Sequence, residues 1–167
     1  MAVVGVLPDH AADRVRFRLA RGSLRATGRR YRIGMTRVLV TGMSGTGKTT
    51  LLNGLAQRGH AVIDTDYEGW VLGDGLWDAP RMATLLEQER DIVVAGTVEN
   101  QGDFYDRFEH VVLLTAPLHV LLARLSSRSS NPYGRIPAEH VEVAHYVRTV
   151  EPLLRRTCTL LRAPGRS

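Results

Sequence analysis

Four short runs of apolar, mostly β-branched residues punctuate the chain: Arg37-Val38-Leu39-Val40-Thr41, Ala61-Val62-Ile63, Asp91-Ile92-Val93-Val94-Ala95-Gly96-Thr97 and His110-Val111-Val112-Leu113-Leu114-Thr115. Unbroken runs of this length predict strands buried on both faces. The stretches between them repeat with a helical period. Thr49 to Arg58 puts Leu51, Leu52, Leu55 and Ala56 on one face, and Gly59 supplies a stop. Asp78 caps a helix with Pro80 in its first turn, running to about Arg90 through Met82, Leu85 and Leu86. Asp103 to Arg107 fits one helical turn. Pro117 opens a helix whose inward positions are Leu118, Leu121, Leu122 and Leu125. Pro137 and Ala138 open a last helix, with Val141, Ala144, His145 and Val147 repeating toward Leu153 and Leu154. Strands alternating with helices predict an α/β domain with a parallel sheet covered on both sides.

The junction of the first strand and first helix carries chemistry. Gly42-Met43-Ser44-Gly45-Thr46-Gly47-Lys48-Thr49 fits G-x-x-x-x-G-K-[ST], the phosphate-binding loop, in the strand–loop–helix setting the motif requires. Glycines let the backbone curl and approach phosphates without a Cβ in the way. The curled N–H groups and the helix N-terminus, through Thr50, form an anion site. Lys48 is placed to reach the β- and γ-phosphates, and the Thr49 hydroxyl to ligate Mg²⁺. Lys48 is the only lysine in a chain whose other basic side chains are all arginine. A compact ammonium point charge is thus kept where the rest of the chain uses guanidinium.

Later strand ends supply further candidates. Asp64 and Asp66 stand at the carboxyl end of the second run, where ligands bind in open α/β sheets. One acid can hold Mg²⁺ through water and the other orient an acceptor hydroxyl; the plainer alternative is an aspartate turn. The third run ends in Ala95-Gly96-Thr97, which can offer N–H groups and a hydroxyl to a substrate, with Glu99 just beyond it. Trp70 and Trp77 lie in a Gly-containing loop over 67–79, either lining an acceptor pocket or packing locally. Arg107 is a possible anion contact, and Arg124 and Arg128 share one side of a helix. Residues 126–136, with Arg128 and Arg135 among Ser, Asn, Pro and Gly, have the composition of a lid that closes over a phosphoryl-transfer site.

Charge divides the chain unevenly. Residues 1–37 hold nine arginines against Asp9 and Asp13, whereas residues 38–167 are slightly acidic. A basic N-terminal extension over 1–34, expected to be poorly ordered, is therefore set apart from a domain over 35–167. The extension reads either as an arm for anionic partners or as a tail or upstream translation start ahead of Met35. A nucleic-acid partner is not favoured. No apolar run approaches the ~20 residues of a membrane span. A single cysteine, Cys158, fits a reducing cytoplasm.

The phosphate loop, Asp64-Thr65-Asp66, Ala95-Gly96-Thr97 and the arginine lid together resemble the small P-loop kinases of the shikimate-kinase and adenylate-kinase kind, over roughly residues 36–155. Gly96 to Arg107 also resembles bacterial ATP-binding proteins grouped as AAA-family. The resemblance implies a three-layer P-loop NTPase fold with strand order 2-3-1-4, the four runs being numbered in sequence. It implies ATP and Mg²⁺ as cofactors and phosphoryl transfer to a small acceptor, a nucleoside monophosphate or a hydroxylated metabolite. Lys48, Asp66 and Arg128 would be catalytic, Thr49 and Asp64 would hold the metal, and residues 42–50 would hold the nucleotide. Shikimate kinases carry Gly-Gly-Gly where this chain has Ala95-Gly96-Thr97, so the acceptor stays open. Such kinases also add a fifth strand and a final helix after the lid helix. Here Cys158-Thr159-Leu160-Leu161 is the expected stub of that strand. A short end predicts poor discrimination among ATP, GTP and CTP. It also predicts a monomer, or self-association through the edge of the fourth strand. The alternatives are an NTP-binding regulator or nucleic-acid-associated NTPase using the arginine arm, or an inactive kinase fragment.

Overall fold

The computed structural model describes residues 4–6, 36–127, 133 and 136–159. Its strands are β1 (Val4–Val6), β2 (Arg37–Thr41), β3 (Val62–Asp64), β4 (Ile92–Ala95) and β5 (His110–Thr115). Its helices are α1 (Lys48–Ala56), α2 (Ala79–Gln88), α3 (Leu118–Ser127), α4 (Pro137–Thr149) and α5 (Glu151–Thr157), with a 3₁₀ segment over Glu99–Arg107. The sheet is parallel, in the order β3-β4-β2-β5-β1. For the four anticipated strands this is the expected 2-3-1-4.

The buried runs β4 and β5 divide their side chains between two faces, as a period of two demands. Val38, Val40, Val93, Ala95, Val112 and Leu114 pack against Leu52 and Leu55 of α1. Leu39, Val94 and Val111 pack on the other face with Trp77, Met82, Leu86 and Phe104. Leu113 joins Met43 of the loop, Val120 and Leu121 of α3 and Leu154 of α5 in a third cluster. Met43 therefore anchors the phosphate loop in the core.

Three expectations are corrected. The fifth strand comes from the other end of the chain: Val4, Gly5 and Val6 pair in register with Leu113, Leu114 and Thr115. Three residues of the 1–34 extension are thus part of the sheet, while its arginines lie outside the described residues. Cys158 and Thr159 are not strand; Thr159 donates its N–H to the Val111 carbonyl, and Val111 returns its N–H to the Thr159 hydroxyl at 2.8 Å. Val4–Val6 and Thr159 therefore both meet the β5 edge, which was expected to be covered by the 158–161 stub or left exposed; Leu160 and Leu161 are outside the described residues. The expected last helix is two. Pro152 has no N–H to donate and would clash with the carbonyl four residues back, so the helix is interrupted at Val150. Val143 is buried instead of Val141, which is 69% exposed, and Ala56 of α1 is exposed.

Candidate functional site

The loop leaves β2 at Thr41 and enters α1 at Lys48. Gly42, Gly45 and Gly47 all hold positive φ. At Gly42 a Cβ would lie 2.3 Å from the Leu114 carbonyl oxygen, so glycine is required by space as well as by φ. Thr46 is buried and closes the loop internally, its hydroxyl donating to the Met43 carbonyl at 2.7 Å. Ser44 is half-buried, and Thr49 and Thr50 are exposed at the start of α1, where the first N–H groups of a helix have no intrahelical acceptor. Lys48 is 8% exposed and bends back over the loop, its Nζ donating to the Gly42 carbonyl at 2.7 Å.

Thr49 and Asp64 are brought together from fifteen residues apart: the hydroxyl donates to Asp64 Oδ2 at 2.7 Å. The aspartate turn is realised, and it leaves one Asp64 oxygen on the loop side. Asp64 Oδ1 accepts the Asp66 N–H, and its carbonyl accepts the Tyr67 N–H, so Asp64 opens a turn while its other oxygen faces the loop. Asp66 is exposed and contributes its backbone there. Thr65 between them is 1% exposed, and its hydroxyl donates to the Ala95 carbonyl and accepts Trp77 Nε1–H, both at 2.9 Å.

Two polar groups of the Ala95-Gly96-Thr97 turn, the Gly96 N–H and the Thr97 hydroxyl, are bonded within the protein. Gly96 donates its N–H to the Val40 carbonyl. Thr97 Oγ1 takes the Gly42 N–H at 3.1 Å and donates to the Gly42 carbonyl at 2.9 Å. Both tryptophans pack locally. Trp77 is 1% exposed, edge-on to Phe104, and Trp70 is buried beneath the Arg81 guanidinium at 3.8 Å. Asn100, which sequence reasoning passed over, holds the Trp77 backbone through both its N–H and its carbonyl. Arg107 pairs with Glu87 and donates to the Ala83 carbonyl, a structural use. Arg124 is the arginine that reaches the loop, donating to the Gly45 carbonyl at 3.4 Å. The shared-side pattern of Arg124 and Arg128 was the available signal for it. Arg128 and Arg135 lie outside the described residues.

A parallel sheet ordered 2-3-1-4, with a glycine loop between its first anticipated strand and a helix, is the P-loop fold as small kinases of the shikimate-kinase and adenylate-kinase kind carry it. Residues 38–145 match the model of the AAA domain family, and the chain belongs to that family. No curated protein matches it. Among solved structures it is similar to shikimate kinase from Acinetobacter baumannii in complex with shikimate. That match has TM-score 0.58 and 20% identity, covering 80% of this chain and 86% of that one. It is likewise similar to shikimate kinase from Bacteroides thetaiotaomicron, with TM-score 0.58 and 19% identity, covering 77% and 86%. At such identities the likeness is one of fold. Among the described residues no helix is long and apolar enough to cross a membrane.

Proposed function

We propose that this chain transfers a phosphoryl group from ATP, with Mg²⁺, to a small acceptor. The observation that carries the reading is the pair of contacts at the start of α1: Lys48, buried, bends its ammonium over the loop onto Gly42, and the next residue, Thr49, sets its hydroxyl 2.7 Å from an Asp64 carboxylate oxygen. Oxygen donors of this kind suit Mg²⁺, which takes one or two protein ligands and keeps waters and phosphate oxygens for the rest. Thr49 and Asp64 would hold the ion, whose chemistry there is to neutralise charge on the phosphates. The residues do the remaining work. The loop N–H groups from Gly42 to Thr50 bind and orient the phosphates. Lys48 leaves the Gly42 carbonyl for the charge that develops on the transferred group. Asp66, exposed two residues beyond the metal-side acid, orients the acceptor hydroxyl. Arg124 approaches the loop from α3, and Arg128, four positions later in the sequence, would be the lid cation. The acceptor class is a nucleoside monophosphate or a hydroxylated metabolite, and cytoplasmic work on such metabolites fits the single free cysteine.

The test is a screen of nucleotides and hydroxylated metabolites for acceptor-stimulated ADP release, run with Lys48→Ala alongside. The variant should lose on the order of a hundredfold or more. Equal turnover by variant and parent would mean that the loop is not the active site.

A further inference from the structure

Gly42 presents one carbonyl to two donors, Lys48 Nζ at 2.7 Å and Thr97 Oγ1 at 2.9 Å. The Thr97 hydroxyl also lies 3.0 Å from Thr41 Oγ1, and Thr41 lies 3.2 Å from Gln101 Oε1. Gln101 is 3% exposed and passes its own N–H to the Tyr105 hydroxyl at 2.8 Å. Two hydroxyl groups have two protons to give. Three bonds compete for them: to the Gly42 carbonyl, to Gln101, and between the two threonines.

Two arrangements of those protons fit the same heavy atoms. In one, Thr97 donates to Thr41 and Thr41 to Gln101, so the Gly42 carbonyl relies on Lys48. In the other, Thr97 donates to Gly42 and frees Lys48 from that carbonyl. We infer that Thr97 is a positioning residue of the phosphate loop, whose hydroxyl takes over the Gly42 carbonyl when Lys48 departs for a phosphate. This rests on the phosphate-binding reading above. The physical need is plain: Gly42 is buried against Leu114, and a buried carbonyl that loses its donor is costly. Rotating one O–H meets that need without moving the loop. The Gly42 N–H is held by the same oxygen at 3.1 Å throughout.

The experiment compares wild type with Thr97→Val, which keeps the branched shape and removes the hydroxyl, and with Thr97→Ser, which restores it. Two quantities are read: amide exchange of the 42–47 segment without nucleotide, and ATP affinity by calorimetry. Thr97→Val should exchange faster across the loop, since the Gly42 N–H loses its acceptor. It should also bind ATP about tenfold more weakly, the loss of roughly one buried hydrogen bond. Thr97→Ser should match wild type in both. A merely structural Thr97 would lower the melting temperature and leave the affinity of the folded protein unchanged; that result overturns the inference. If wild type itself binds no ATP, the phosphate reading fails. Loop exchange then decides alone, and unchanged protection in Thr97→Val overturns the hold on Gly42. Thr97→Ala, which only removes atoms, is read the same way should the valine variant not fold.

Discussion

Gly96→Ala adds one methyl group at a point where the structure has no room for it. The new Cβ would stand 2.0 Å from Thr65 Oγ1 and 3.2 Å from the Trp77 ring. Thr65 cannot swing aside cheaply. Its side chain is short and buried, and its hydroxyl is tied to the Ala95 carbonyl and to Trp77 Nε1. Giving way breaks both bonds and leaves a buried indole N–H unpaired, which costs about 1–3 kcal/mol. Overpacking a filled site adds about 1–3 kcal/mol more. The expected loss, roughly 2–6 kcal/mol, is a large share of the about 5–15 kcal/mol that holds a domain folded. The damage also reaches the site, because Thr65 fixes the position of Asp64 on one side and Asp66 on the other.

Urea unfolding followed by far-ultraviolet circular dichroism measures the loss, and the joint fluorescence of Trp70 and Trp77 reports whether the packing around them changes. A second variant sharpens the test. Thr65→Ala removes the obstructing oxygen, and the remaining Thr65 Cβ lies at an ordinary 3.4 Å from the added atom. In that background Gly96→Ala should cost far less, because the two sites share one contact. A loss below about 1 kcal/mol from Gly96→Ala alone, or costs that add in the double variant, would refute the reasoning.

Asp64→Asn should raise the Mg²⁺ requirement, whereas Asp66→Asn should reduce turnover with little change in ATP affinity; identical defects rescued by Mg²⁺ would end that division of labour. Arg124→Ala should weaken ATP binding through its contact with the Gly45 carbonyl, and Arg128→Ala should lower kcat more than affinity, since a lid cation acts in the closed state. Glu109 is pushed up by burial, but the hydrogen bonds and charge of Arg37 outweigh this and hold its carboxyl below the ordinary value. Its contribution is therefore present above the ordinary carboxylate range and fades as pH falls through the lowered value; the pair is partly exposed, so Glu109→Gln should cost about 1 kcal/mol or less at neutral pH and flatten the acid limb of a pH–stability curve. The Tyr146 hydroxyl is held above its ordinary value chiefly by its bond to Glu142, and that of Tyr133 by burial and then the same carboxylate. Glu142→Gln should bring both ionisations back toward lower pH in an ultraviolet titration.

What could be read from the sequence was local. The loop motif needs eight consecutive positions and brings its own strand and helix, and four apolar runs announce a doubly covered parallel sheet. That an acid of the second run would stand near the loop followed from where strand ends lie in such a sheet; that it is Asp64 beside Thr49 was implied by the resemblance. What stayed hidden depends on residues far apart in sequence. Thr97 gives no sign that its hydroxyl is committed to Gly42, fifty-five positions away. Asn100 gives none that it braces Trp77. Val4-Gly5-Val6 is too short to show a period, and it becomes a strand only because β5 offers an edge.

These hidden contacts have one consequence in common: they stiffen the glycine loop from behind. A chain with positive φ at three glycines has many conformations to lose. Met43 pins it to the core, Thr46 closes it on itself, and Thr97 holds Gly42 by both polar groups. The entropy of ordering the loop is therefore met during folding, which on the proposed function would leave more of the phosphate contact energy for affinity. On the proposed function Lys48 is the exception, since its contact with Gly42 would have to break before the ammonium met a phosphate. A loop made rigid around a single movable cation is suited to act on a charge that grows during reaction.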